Sequence, residues 1–129
     1  MARIEKFEDI EGWKLARRAA NRIYDVSAGG VFSKDFALVN QIRRASISIL
    51  SNIAEGFERD GNKEFLQFLS VAKGSCGEVR AQLYLAADRG YIDEPTFKEI
   101  SDLLIETSRT IAGLIRYLQQ SDERGRKFK

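Results

Sequence analysis

Residues 43–57 read Arg43-Arg44-Ala45-Ser46-Ile47-Ser48-Ile49-Leu50-Ser51-Asn52-Ile53-Ala54-Glu55-Gly56-Phe57. Between Arg44 and Arg59 only Glu55 and Glu58 are charged, and the rest is small, aliphatic or uncharged polar apart from Phe57. This suits a helix with protein against more than one side. On a wheel advancing about 100° per residue, Leu38, Val39, Ile42, Ala45, Ile47, Ile49, Leu50, Ile53, Ala54, Gly56 and Phe57 fill an arc of about 200°, roughly twice the stripe of an ordinary surface helix. The remaining strip holds Gln41, Arg44, Ser48, Ser51, Asn52, Glu55 and Arg59. An apolar arc this wide must be covered from two directions, by two helices of one bundle or by one bundle and a neighbouring subunit.

Helical spacing extends outward from this stretch. Ser33 is placed to cap the central helix, which should span about 34–58 and at 1.5 Å per residue reach roughly 37 Å. Before it, about 9–27, Asp9 serves as an N-cap, with Trp13, Ala16, Ala20, Ile23, Tyr24 and Ser27 on one face and Lys14, Arg18, Arg22 and Asp25 opposite. Gly29-Gly30 ends that helix. After Gly61, Asn62 is placed to cap a third helix over about 63–89, with Phe65, Phe68, Ala72, Cys76, Val79, Leu83 and Ala86 stepping by three or four. Gly74 and Gly77 interrupt it at about 1 kcal/mol each relative to alanine, which predicts close approach of a neighbouring helix there. Asp93-Glu94-Pro95 opens a last helix, where Phe97, Ile100, Leu104, Thr107, Ile111, Leu114 and Leu118 form a regular heptad. Four helices with short connections define an all-α fold, an antiparallel up-and-down four-helix bundle in a single domain over 1–129, with a basic frayed tail at 119–129.

Composition narrows the chemistry. The chain has 129 residues, 43% hydrophobic and 31% charged, with one cysteine and no histidine. No apolar run reaches the ~18 residues of a membrane span, and no apolar segment follows Met1-Ala2-Arg3 to make a secretory signal, so a soluble cytoplasmic protein without membrane contact is expected. Absence of histidine removes the commonest metal ligand and general base, and a lone Cys76 supports neither a disulfide nor a multi-cysteine zinc site. Ser70-x-x-Lys73 matches the serine acyl-enzyme pattern, but its companion motifs are missing and the chain is too short for that fold. Cys76, Trp13, Phe65, Phe68 and Phe97 fall on the buried periodicity and read as packing. No catalytic residue, cofactor or metal is expected.

Charge is the remaining functional signal. The net charge is +2, and residues 116–129 carry Arg116, Arg124, Arg126, Lys127 and Lys129 against Asp122 and Glu123, leaving the remainder at −1. Arg43, Arg44, Arg59 and Lys63 bracket the central stretch. These nine cations are the candidate contacts to RNA or DNA phosphate. Ser48, Ser51, Asn52 and Glu55, on the polar strip, are the candidate oligomer interface, with Glu55 and Arg59 in the favourable order for an ion pair that fixes register.

Several strings resemble one family. Phe7-Glu8-Asp9-Ile10 with Trp13-Lys14 and Ala16, Gln41 to Ile49, Ser51-Asn52-Ile53-Ala54-Glu55-Gly56-Phe57, Lys63-Glu64-Phe65, Phe68-Leu69 and Gly74-Ser75 resemble, in order and at family spacing over about 7–118, the four-helix-bundle proteins encoded in intervening sequences of bacterial large-subunit rRNA genes. Leu50 stands where that family generally has proline, and Cys76-Gly77 replaces larger residues. The resemblance implies a bacterial, cytoplasmic homopentamer around a central channel, with no established catalytic activity. The related accessory variability protein of retroelements implies nucleic acid and a reverse transcriptase as partners. The expected function is therefore a non-enzymatic homo-oligomeric scaffold binding RNA or DNA; the alternative is a protein-protein adaptor without nucleic-acid binding.

Overall fold

The computed structural model describes residues 4–127, with side chains described to residue 121. It contains four long helices: α1 (Glu11–Ser27), α2 (Phe36–Glu58), α3 (Asn62–Asp88) and α4 (Glu94–Lys127). Single 3-10 turns at Phe7–Asp9 and Phe32–Lys34 precede α1 and α2. Each helix packs on its sequence neighbours, and α4 closes the ring on α1, leaving α2 and α4 diagonal. Short connections force the antiparallel course. Among the described residues no helix is long and apolar enough to cross a membrane.

The core is continuous along the bundle. Ile23 of α1, Ile42, Ile49 and Ile53 of α2, Leu69, Val79 and Leu83 of α3, and Ile100, Leu104 and Ile111 of α4 are essentially inaccessible to water. Burying each such side chain contributes about 1.5–3 kcal/mol. The heptad of α4 is buried from Ile100 to Leu118, with Phe97 half-buried at its start. Within it, Thr107 satisfies its hydroxyl by donating to the Leu103 carbonyl at 2.7 Å. The buried face of α1 is rotated from the sequence reading: Leu15 and Ala19 lie at its centre, while Trp13 and Tyr24 fall on its margins. Trp13 reaches the core from that margin, whereas Tyr24 stays exposed and carries Arg43 on its ring.

Three expected caps are different. Asp9 accepts from the backbone N–H groups of Glu5 (3.1 Å) and Lys6 (3.3 Å), closing the 3-10 turn, and Ile10 precedes α1 instead. Ser33 donates its hydroxyl to the Gly30 carbonyl at 2.8 Å, and Asp35 caps α2 by accepting from the Leu38 N–H at 3.1 Å. Asn62 is the first residue of α3, entered from Gly61 at φ +93°. Asp93 does cap α4, accepting from the Thr96 N–H at 2.9 Å. The exit from α3 is a Schellman turn: Tyr91 N–H bonds the Ala86 carbonyl and Gly90 N–H that of Ala87, with Gly90 at φ +73°. This turn places the Tyr91 ring on Phe32, centroids 5.1 Å apart, and its hydroxyl on Asp35 at 2.9 Å, tying the α3–α4 and α1–α2 connections together.

The broad apolar arc of α2 is met within the chain. α1 covers one flank and α3 the other, and Ile47 is the one large member of the arc that emerges, at 41% exposure. Leu50 packs half-buried, and α2 runs unbroken past it. Close helix approach occurs at Gly56, where a Cβ would lie 2.6 Å from the Phe68 Cβ. It does not occur at Gly74 or Gly77, where an added Cβ meets nothing within 4 Å. Those two glycines face outward, so their cost in helix propensity is not returned as packing.

Candidate nucleic-acid interface

The cations nominated from sequence divide into committed and available groups. Arg43, on the α1-facing flank of α2, donates from Nε to the Ser27 hydroxyl at 2.9 Å and lies 4.3 Å from the Tyr24 ring centre. Ser27 in turn donates to the Ile23 carbonyl at 2.6 Å. Arg43 is thus a latch between α1 and α2. Arg59 bonds the Glu55 carboxylate at 2.9 Å, approaches Glu64 at 3.9 Å and covers the Phe68 ring at 5.1 Å. The hydrogen bond to Glu55 raises the Arg59 pKa. Arg44, Lys63 and Arg116 are exposed without a partner among the described residues. Arg44 precedes the end of α2 by about 20 Å of helix, so it does not share a patch with Lys63. The side chains of Arg124, Arg126, Lys127 and Lys129 lie outside the described residues.

A denser basic surface was not nominated. Lys14, Arg17, Arg18 and Arg22 recur at three- and four-residue spacing along the outer face of α1, where with Trp13, Asn21, Glu99 and Leu103 they line a groove of about 500 Å³. Arg22 grips Glu99 of α4 through two parallel bonds, Nε at 2.8 Å and its terminal nitrogen at 2.9 Å, with Asp25 at 3.5 Å. The bond from Arg22 holds the Glu99 carboxyl below its ordinary range and raises the guanidinium. Lys14 is only loosely paired, 3.9 Å from Glu11. Arg17 stands 5.7 Å over the Trp13 ring, and neither it nor Arg18 meets a carboxylate among the described residues. The signal was present in the sequence as Lys-x-x-Arg-Arg-x-x-x-Arg on the solvent side of the first helix.

The nominated interface residues are largely engaged inside the chain. Ser48 bonds the Ser75 hydroxyl at 3.0 Å across α2 and α3, and Asn52 donates to the Ser48 carbonyl and hydroxyl at 2.8 and 2.9 Å. Glu55 holds Arg59, and Ser51 is exposed. Among the described residues no group of three or more His, Cys, Asp or Glu is placed to hold a metal. Cys76 is buried, and burial pushes its thiol up to about 12, against the opposing influence of Lys73 and Arg80. A thiol so protonated is a poor nucleophile.

The fold recurs in a crystal structure of a protein of unknown function from the S23 ribosomal protein family of Bacteroides thetaiotaomicron, 23% identical, matching 81% of this chain and 97% of that one with a TM-score of 0.74. No curated protein matches the chain. The model of the 23S rRNA-intervening sequence proteins matches residues 8–113, from the turn before α1 into α4, and the chain therefore belongs to that family.

Proposed function

We propose that this protein is a non-enzymatic helical scaffold that assembles with copies of itself, as a pentamer, and holds RNA or DNA on its basic surface. The outer face of α1 carries this reading: Lys14, Arg17 and Arg18 converge on one open groove with only one long contact to a carboxylate among them. Phosphate neutralisation is the direct use for such a face. Arg44, Lys63 and Arg116 extend the positive field, while Arg43 and Arg59 are better assigned to holding the fold. Five copies at +2 each would give about +10 and repeat every weak contact five times.

Fluorescence anisotropy with a structured RNA and a duplex DNA tests the binding. Affinity should fall steeply between ~50 and ~200 mM salt, and the Arg17→Gln/Arg18→Gln variant should weaken binding and flatten the salt slope by about one to two units. No binding at the lower salt would overturn the nucleic-acid reading. Light scattering tests assembly, and a species of 14.6 kDa at working concentration would overturn that part. The adaptor reading has its own support in exposed Val31 and Phe36 at one end of the bundle, 70% and 75% accessible, and a pull-down that survives nuclease would favour it.

A further inference from the structure

On the side of the bundle formed by α3 and α4 lies a separate recess of about 550 Å³. Ser70, Lys73, Gly77 and Arg80 recur by three or four along one face of α3 and line it, and Ser108 completes it from α4. It contains two cations, two hydroxyls and, among the described residues, no carboxylate. Arg22, Arg59 and Lys98 each hold an acidic partner within 3 Å, whereas neither Lys73 nor Arg80 has a partner among the described residues.

Arg80 shows this most clearly. Its Nε is shielded from water and makes no hydrogen bond. A buried donor left unpaired is costly, so the guanidinium gains from an acceptor brought to its remaining nitrogens. Gly74 and Gly77 leave the space beside it open, since a Cβ on either meets nothing within 4 Å. Beneath them Cys76 is buried and, as a neutral thiol, does not compensate the two positive charges that act on it.

We propose that this recess binds a phosphate group, held by the charges of Lys73 and Arg80 and by hydrogen bonds from the Arg80 terminal nitrogens and the Ser70 and Ser108 hydroxyls. A tetrahedral oxyanion offers acceptors in several directions, which suits donors arriving from two helices; a planar carboxylate would leave part of the set unused. The volume falls within the range of small-ligand sites, so the phosphate is carried on a larger body such as a nucleotide. Ser70 and Lys73, three apart, thereby have a use in which the serine is a hydrogen-bond donor and not a nucleophile. The site is independent of the α1 groove.

Titration of the ¹⁵N-labelled full chain with inorganic phosphate, adenosine monophosphate and an RNA oligonucleotide lacking terminal phosphate, each against chloride at equal ionic strength, tests the site and separates its sources. Phosphate and the monophosphate should shift the Arg80 Nε–H resonance and the amides around Gly74 and Gly77. A response to the oligonucleotide alone would overturn the proposal, because it would place polymer and not a phosphate group in the recess. Lys73→Gln should weaken binding about tenfold or more. Gly77→Leu, which fills open space and favours helix, should remain folded and abolish the response, while Arg17→Gln/Arg18→Gln should leave it intact. Equal responses to phosphate, monophosphate and chloride, or retention of the response in Gly77→Leu, would overturn it. Loss of RNA binding on α1 with phosphate binding retained would sink only the nucleic-acid reading.

Discussion

The two flanks of α3 use glycine in opposite ways. Against α2, Gly56 lets the helices meet so closely that a single added carbon would sit 2.6 Å from the Phe68 Cβ and 3.0 Å from the Phe65 ring. Against α4, Gly77 opens onto the recess lined by Lys73 and Arg80 and touches nothing. One glycine is required by packing, and the other costs helix stability without a packing return. A glycine inside a helix therefore reports a constraint only once its partner surface is known.

Gly56→Ala is the sharpest way to break the contrast. The new carbon meets a Cβ on α3, which cannot rotate away, so the helices must separate. Overpacking of this kind costs about 1–3 kcal/mol, and the gain in helix propensity returns at most about 1. A net loss of about 1 kcal/mol should appear in urea denaturation, with a Tm lower by roughly 4 °C at this chain length. An unchanged midpoint would mean that α2 and α3 are not in contact at Gly56. The same seam carries the Ser48···Ser75 bond at 3.0 Å, half-buried and backed by Asn52. Ser75→Ala should cost about 1 kcal/mol in the same measurement, the ordinary net worth of such a bond, with Asn52→Ala close behind.

The open flank should answer with the reverse sign. Gly77→Ala removes backbone freedom from the unfolded chain without meeting any atom, and should stabilise by about 0.5–1 kcal/mol. It also places a methyl group in the proposed phosphate site. Stability gained together with phosphate affinity lost would identify Gly77 as a residue kept for a ligand. A loss of stability would show that the recess is closed by something else.

Fold and site differed in how far they could be read from sequence. The four helices followed from periodicity, because Ile100 to Leu118 and Phe65 to Ala86 each keep one face, and burial of that face overrides local detail. Caps were less legible: Ser33, Asp35, Asn62 and Asp93 all have capping chemistry, and the choice among them depends on distant partners such as Tyr91. The width of the α2 arc left two covers open, two helices of one bundle or a second subunit, because the lateral cover that α1 and α3 supply is invisible in one helix. The basic face of α1 was visible only as spacing, opposite the apolar face, since sequence does not show which arginines, like Arg43 and Arg22, spend their donors inside the chain.

The seam between α1 and α4 offers the smallest and most separable effect. Arg22 and Glu99 are exposed enough that solvent and salt screen them, yet their two parallel bonds lower the Glu99 carboxyl. Because the folded value lies below the unfolded one near 4.3, the unfolded chain takes up the proton first as pH falls. The contribution is thus fully present above the unfolded value and is lost as pH drops through the folded one. Arg22→Gln should flatten this part of the stability profile below about pH 4 and change little at pH 7 beyond the small worth of an exposed pair. If the acid limb is unaltered in the variant, Glu99 draws its low value from something other than Arg22. Added salt should act in the same direction as the substitution, and it should leave the Gly56 effect untouched, since steric overlap is not screened.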